Sequence, residues 1–189
     1  MFGTLFLTAF LISADPQPVR VTPEVAAKLR EIAFQSAREG DTVTLNEYFA
    51  TGFGANEPNG RGDTLLTVAA YNGQMKAVEA ILKQPKVTVD ARNKMGLTAL
   101  TAASFKGHLD IAKALIAAKA DVNAANSSKQ TALMFAALAG RTEMVDYLIE
   151  VGADIEARDT AGNTATTLAE KQGAKAIVEK LKAAGQRKK

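Results

Sequence analysis

A period of about 33 residues runs through this chain and limits its fold more than any other feature. Four threonines mark the period, and their sequence numbers differ by 34, 33 and 33: Thr64, Thr98, Thr131 and Thr164. Glycines follow the same period: Gly40, Gly73, Gly107, Gly140 and Gly173. Self-similarity at a period of roughly 20 to 50 residues is the signature of a repeat protein. We therefore predict a row of stacked units rather than one globular core.

Each unit reads as two short helices. The threonine is a candidate N-cap, whose hydroxyl accepts a hydrogen bond from a free backbone N–H. An alanine-rich run follows and ends at the glycine, where a left-handed backbone has no Cβ penalty. A second apolar run comes next, such as MKAVEAIL at 75–82. Both helices are too short to be stable in water on their own. They therefore depend on packing against neighbouring units.

These motifs resemble the ankyrin repeat. The best matches are GLTALT at 96–101, KGH at 106–108, ADVN at 120–123 and VGADI at 151–155. The resemblance covers roughly residues 34–185. It implies an all-α ankyrin-repeat solenoid of stacked helix-turn-helix units with hairpin-like loops, about five repeats including the caps. We expect the domain to span 23–185, divided into 23–58 (N-terminal cap), 59–92, 93–125, 126–158 and 159–185 (C-terminal cap).

The chain departs from the family pattern at several positions. The family histidine is replaced by Thr67, Thr101, Met134 and Thr167. We therefore expect its hydrogen bonds between repeats to be weakened or taken over by threonine hydroxyls. Lys129 stands where a turn glycine is usual, and one extra residue falls near 84–86.

The N-terminus has a different character. Residues 1–14 read MFGTLFLTAFLISA, an apolar run too short to span a bilayer and followed by small residues. We interpret 1–14 as a signal peptide cleaved before Asp15, although no basic residue precedes the run, and 15–22 as a short linker. This predicts a periplasmic or secreted protein without stable membrane insertion. A cytoplasmic protein with an atypical N-terminus is the alternative.

Composition excludes several classes of function. The chain has no cysteine and one histidine, His108, so thiolate chemistry and multi-histidine metal sites have no residues to draw on. No catalytic constellation emerges, and we expect no enzyme activity, no metal and no cofactor. The formal net charge is only +3 and the basic residues are dispersed, apart from a basic tail at 186–189. Nucleic-acid binding is therefore not expected.

Three short motifs have ordinary structural explanations. The Arg61-Gly62-Asp63 tripeptide falls where the tip of a hairpin belongs. Asn126-Ser127-Ser128 is a glycosylation sequon made of common turn residues. His108 follows the inter-helix glycine, where a structural hydrogen bond is the expected role.

The resemblance also indicates which residues form a partner-binding face. In the ankyrin architecture, the hairpin tips and the ends of the first helices face the concave side. The residues there are Arg61, Asp63, Tyr71, Asn72, Arg92, Lys94, Met95, Leu97, Phe105, Lys106, Gln130, Leu138 and Arg158. Tyr71, Phe105 and Leu138 occupy one position in consecutive repeats, and we call these three residues the strip. Arginines and lysines surround the strip, as in a binding hot spot for an acidic protein.

The leading hypothesis is a non-catalytic, monomeric protein-interaction module that holds a protein partner on its concave face. Small exported bacterial ankyrin proteins resemble accessory, protective or immunity-type partners of a neighbouring protein, and this chain is similar to them. A small-ligand or haem carrier, with Tyr71, Met95 or Tyr147 as an axial ligand, is one alternative. A cytosolic regulatory adaptor is another.

Overall fold

The computed structural model describes residues 21–186, which fold into ten α-helices. They are α1 (Pro23–Glu39), α2 (Thr42–Ala50), α3 (Leu65–Tyr71), α4 (Met75–Leu82), α5 (Ala99–Lys106), α6 (Leu109–Ala117), α7 (Ala132–Leu138), α8 (Thr142–Glu150), α9 (Ala165–Lys171) and α10 (Lys175–Gln186). The predicted signal peptide, residues 15–20 of the linker and residues 187–189 of the tail lie outside the described residues.

The helices stack as pairs. The first helix of each pair packs on its counterparts along the row α1, α3, α5, α7 and α9. The second helices form a parallel row of α2, α4, α6, α8 and α10. Between residues 21 and 186 the only β-structure is one bridge, between Ala125 and Thr131. The prediction of an all-α solenoid with about five helix pairs is confirmed.

The predicted helix caps are present. Thr64, Thr98, Thr131 and Thr164 each accept a hydrogen bond from the backbone N–H three residues later. Gly40 and Gly107 end α1 and α5 with φ values of 81° and 84°, the left-handed conformation that glycine favours. The sequence pattern of threonine, alanine-rich run and glycine therefore predicted the first helices correctly.

The threonines that replace the family histidine do not take over its hydrogen bonds between repeats, which was one of the two predicted outcomes. The Thr67 hydroxyl lies 3.2 Å from that of Thr64, and the Thr101 hydroxyl lies 3.1 Å from that of Thr98. Both contacts are made inside one repeat, because the cap residue is the nearest polar group to a side chain three positions along the helix. These hydroxyls thus reinforce the caps and do not connect neighbouring repeats.

Small apolar faces and a polar ladder are among the contacts that connect neighbouring repeats. Alanines on the first helices are almost fully buried, for example Ala69, Ala103 and Ala136, and they allow close helix packing. The ladder uses a side-chain oxygen in each of the turns that follow α2, α4 and α6. This oxygen belongs to Asn56, Asp90 or Asn123, and it accepts from a backbone N–H of the next repeat.

The extra residue predicted near 84–86 lies in the turn after α4. Lys86 there adopts a φ of 61°, and the amide of Asn56 donates to its carbonyl oxygen at 2.7 Å. The oxygen of the same amide accepts from the backbone N–H of Thr88 at 2.8 Å. One side chain thus holds both ends of the inserted turn, so the insertion leaves the helix stacking intact.

None of the helices within residues 21–186 has both the length and the hydrophobicity that crossing a membrane requires.

Candidate functional site

Four hairpin loops border the candidate face, and one side chain organises each of them. The side-chain oxygens of Asn59, Asn93, Asn126 and Asp159 each accept from the backbone N–H groups two and four residues later. The backbone N–H of the same residue donates to the carbonyl oxygen four residues on, at 2.9–3.0 Å. These bonds fix the position of the exposed hairpin tips. Sequence reasoning described Asn126 only as a common turn residue and did not assign this role to any of the four.

The hairpins also support one another. The amide of Asn93 donates to the carboxylate of Asp63 in the preceding hairpin at 2.8 Å. Lys94 donates twice to that same hairpin, from its backbone N–H to the oxygen of Arg61 and from its ammonium to the oxygen of Gly60. Adjacent tips therefore form one surface.

The structure explains two of the short motifs. Asp63 is 8% exposed, and its carboxylate accepts from Arg61, Asn59 and Asn93. The Arg61-Gly62-Asp63 tripeptide therefore does not present its carboxylate to a receptor. In the sequon, the amide nitrogen of Asn126 donates to the side-chain oxygen of Gln130. Its side-chain oxygen accepts from backbone N–H groups of the hairpin.

The strip lies where the ends of three first helices meet the solvent. Tyr71 is 45% exposed and Phe105 is 38% exposed, although large aromatic side chains are usually mostly buried. Leu138 is half-buried. Phe105 also packs edge-on against Phe135 of the next repeat, with 6.3 Å between ring centroids. Packing therefore fixes the orientation of the Phe105 ring while more than a third of its surface remains free.

Cations occupy the position of the strip in the two terminal repeats. Arg38 precedes Gly40 by two residues and Lys171 precedes Gly173 by two, just as Tyr71 precedes Gly73. Both are exposed. The ammonium of Lys171 donates to Asn163 at the base of the last hairpin at 2.6 Å. Sequence reasoning missed Arg38 as a member of this row, although the glycine period extended to the N-terminal cap would have found it.

The remaining basic residues of the predicted face are exposed, but their charged groups also make contacts within the hairpins. Arg92 donates to the carbonyl oxygen of Ala125 and Arg158 donates to that of Gly162. Arg61 keeps 77% of its side chain exposed while pairing with Asp63. Lys106 lies over the Tyr71 ring. The acidic residues of the hairpins, Asp63 and Asp159, are buried, so the exposed charge of the tips is positive.

Other residues of the predicted set differ in exposure. Met95 is 62% exposed at a hairpin tip. Leu97 and Gln130 are half-buried, and Gln130 accepts from Asn126. Asn72 is exposed, with its amide donating to the oxygen of Val68. Asp63 is buried, so we treat it as a residue that positions the hairpins.

The hydrogen bond expected of His108 is not made by its Nε2 atom. The imidazole lies over Gly73 of the preceding repeat, so close that a Cβ at this glycine would be 2.8 Å from the ring. Nε2 is buried there without a hydrogen-bond partner among the described residues. Gln74 and Arg141 occupy the same position in the neighbouring repeats, and both have acceptors. Gln74 donates to the backbone oxygen of Arg38, and Arg141 donates to that of Phe105.

Local contacts shift the pKa values of a few described side chains. Asp159 has a lowered pKa, mainly because the amide of Asn163 donates to its carboxylate. On the opposite face, burial raises the pKa of Tyr147 above its ordinary value of 10.0, and Glu150 adds to the effect. Within residues 21–186 no group of three or more acidic or histidine side chains is arranged to hold a metal ion.

Comparisons with known proteins agree with this geometry. The profile of the family described as "Ankyrin repeats (3 copies)" matches residues 33–126 and 118–189. The chain is 38% identical over 86 residues, 46% of its length, to alpha-latrocrustotoxin-Lt1a of Latrodectus tredecimguttatus. It is 29% identical over 119 residues, 63% of its length, to ankyrin repeat and SOCS box protein 2 of Homo sapiens. It spans only 6% and 16% of the lengths of these two relatives.

Proposed function

The chain belongs to the ankyrin repeat family, and we propose that it is a non-catalytic module that binds one partner protein on the face formed by its hairpin tips and first helices. The observation that carries this proposal is the strip. Two aromatic side chains remain 45% and 38% exposed at the same position of consecutive repeats. Exposed apolar groups in a row, bordered by arginine and lysine, have the composition of an interface hot spot.

The rigidity of the face supports the same proposal. Hydrogen bonds hold each hairpin, and bonds between hairpins hold the row. A preorganised surface loses little conformational entropy on association, which favours affinity. The exposed charge of the tips is positive, so we propose that the partner is acidic and that electrostatic attraction speeds its association.

We further propose that the protein works as a monomer in an exported bacterial setting, as an accessory, protective or immunity-type partner of another protein. The apolar run at 2–12 and the small residues before Asp15 support export. The mature unit would then begin near Asp15, with residues 23–185 as the binding domain. N-terminal sequencing of protein purified from its own host tests this, and an intact Met1 would contradict it.

Site-specific photo-cross-linking tests the binding face. A benzoylphenylalanine replaces Phe105 on the strip in one protein and Lys83, at the end of α4, in another, and both are produced in the native host. We expect a discrete cross-linked partner from position 105, lost when Tyr71→Ala is added. Position 83 is the matched control, because Lys83 is exposed and lies among the second helices. Absence of an adduct from position 105, or the same adduct from position 83, would refute the proposed face.

A further inference from the structure

The row that contains the strip has five members, one in each repeat. In chain order they are Arg38, Tyr71, Phe105, Leu138 and Lys171, each two residues before the glycine that follows a first helix. The order of chemical types is therefore cation, three apolar groups, cation. A partner that covers the whole row must supply the complementary order, with an anion at each end and three apolar groups between them.

The spacing of the row restricts the backbone conformation of such a partner. Packed helices lie about 8–10 Å apart, so equivalent side chains of adjacent repeats are separated by about 10 Å. Seven residues of an α-helix rise about 10.5 Å and return to nearly the same side, with a drift of only about 20°. Three residues of a β-strand cover about 10 Å, but they end on the opposite face of the strand. A strand therefore cannot place consecutive anchors on one row.

A polyproline helix also has about the right spacing, since three residues rise about 9.3 Å on one side. It is recognised, however, by the open faces of aromatic rings. Here the Lys106 ammonium covers one face of Tyr71 at 5.0 Å, and the Phe105 ring is engaged with Phe135. The third apolar member, Leu138, is not aromatic. The row therefore suits the side chains of an α-helix better than a run of prolines.

We infer that the partner presents an acidic amphipathic α-helix along this row, with apolar residues at three successive heptad positions and carboxylates one heptad beyond each end. This inference rests on the proposed function and names the kind of partner that the face accepts. The ends of the row are about 40 Å apart, which corresponds to about 28 residues of helix. Lys106, beside Tyr71, adds a further cation along the helix.

Synthetic peptides test the inference with the full 189-residue chain. The in-register peptide carries Glu at positions 1 and 29 and Leu at 8, 15 and 22 of an alanine- and glutamine-rich helix. A control of the same composition has its middle Leu moved by two positions, to the other side of the helix. A third peptide places Leu at every third position of a proline-rich chain. Fluorescence anisotropy of labelled peptides gives the three affinities.

We expect the in-register peptide to bind at least about tenfold more tightly than the shifted peptide and the proline-rich peptide. The Arg38→Glu/Lys171→Glu protein should bind this peptide more weakly than wild type does, and should bind an in-register version with Lys at positions 1 and 29 instead. Both substituted residues are exposed, and a circular dichroism melt verifies that the fold is kept.

Equal binding of the shifted peptide, tighter binding of the proline-rich peptide, or no binding of the in-register peptide would each overturn the helix inference. None of these results refutes the proposed binding face, because cross-linking from position 105 tests that face with the native partner. Cross-linking without the peptide preference would leave the face correct and the helical partner wrong.

Discussion

The ammonium nitrogen of Lys106 lies 5.0 Å from the centre of the Tyr71 ring, which belongs to the preceding repeat. Exposed cation–π pairs contribute about 0.5–1 kcal/mol. We expect a double-mutant cycle of Lys106→Gln and Tyr71→Phe to give a small coupling energy, because phenylalanine keeps the ring face. Tyr71→Ala paired with Lys106→Gln should give a coupling of about 0.5 kcal/mol in urea unfolding. Lys113 and Tyr147 form a similar pair among the second helices and serve as the comparison. Their ammonium nitrogen and ring centre are 5.9 Å apart.

Binding should depend on the strip. Tyr71→Ala and Phe105→Ala each remove a rigid, exposed anchor, and truncation of such anchors typically costs about 2 kcal/mol or more of binding free energy. Titration of the purified variants with the partner that cross-linking identifies measures the loss of binding free energy. Lys83→Ala and Glu150→Ala are controls at the ends of second helices. Because Phe105 also contacts Phe135, a variant counts only if its melting temperature is unchanged. If both strip variants bind as tightly as wild type while a control does not, the face is misassigned.

Lys129→Gly should stabilise the fold. Lys129 has a φ of 58° at a hairpin position where Gly62, Gly96 and Gly162 have φ values of 75–83°. A left-handed backbone costs a non-glycine residue roughly 1–2 kcal/mol, partly offset by the greater entropy of glycine in the unfolded chain. We expect a net gain of about 0.5–1 kcal/mol in the free energy of unfolding. Gly96→Ala should lose stability, since its Cβ would lie 2.9 Å from the backbone nitrogen of Ser127. A destabilised Lys129→Gly protein would contradict this explanation.

Acid should weaken the last hairpin through protonation of Asp159. The pKa of Asp159 is lowered in the folded protein from its ordinary value of 3.8, chiefly by the amide of Asn163. Its stabilising contribution is therefore complete above about pH 4 and is lost as pH falls through the lower, folded value. Asp159→Asn keeps the acceptor that Asn59, Asn93 and Asn126 provide in the other hairpins. We expect this variant to show a smaller decrease in melting temperature between pH 5 and pH 2.5 than wild type, and an unchanged decrease would refute the assignment.

His108→Gln should gain a hydrogen bond between repeats. Gln74 stands at the same position one repeat earlier and donates across its glycine turn to the oxygen of Arg38. By the same geometry, the side-chain amide of a glutamine at position 108 should donate to the backbone carbonyl oxygen of Tyr71. A new hydrogen bond at a buried polar group contributes about 1 kcal/mol. Chemical denaturation measures the gain, and His108→Ala distinguishes it from simple loss of the imidazole. No gain for glutamine over alanine would show that the bond does not form.

The period alone predicted the helix pairs, because threonine caps and left-handed glycines act locally and recur with each repeat. The resemblance to the ankyrin repeat placed the three residues of the strip on one face, and partner binding by the strip stays a prediction. The period did not reveal the burial of Asp63, which depends on Asn93 in the next hairpin, 30 residues away. Arg38 was not predicted as a member of the row, because the predicted row consisted of apolar residues. The polar ladder from Asn56 to Asn123 was not predicted either, because each of its hydrogen bonds joins turns of two different repeats and no single motif contains both.

The Thr64–Thr67 and Thr98–Thr101 contacts stay within their own repeats, while the ladder and the alanine faces join only adjacent ones. Within residues 21–186, these contacts include no link between distant repeats that must break before the others can open. Pulled from its two ends in a force spectrometer, the chain should yield one repeat at a time and produce a sawtooth trace. Each step should release about 33 residues, or roughly 110 Å of extended chain.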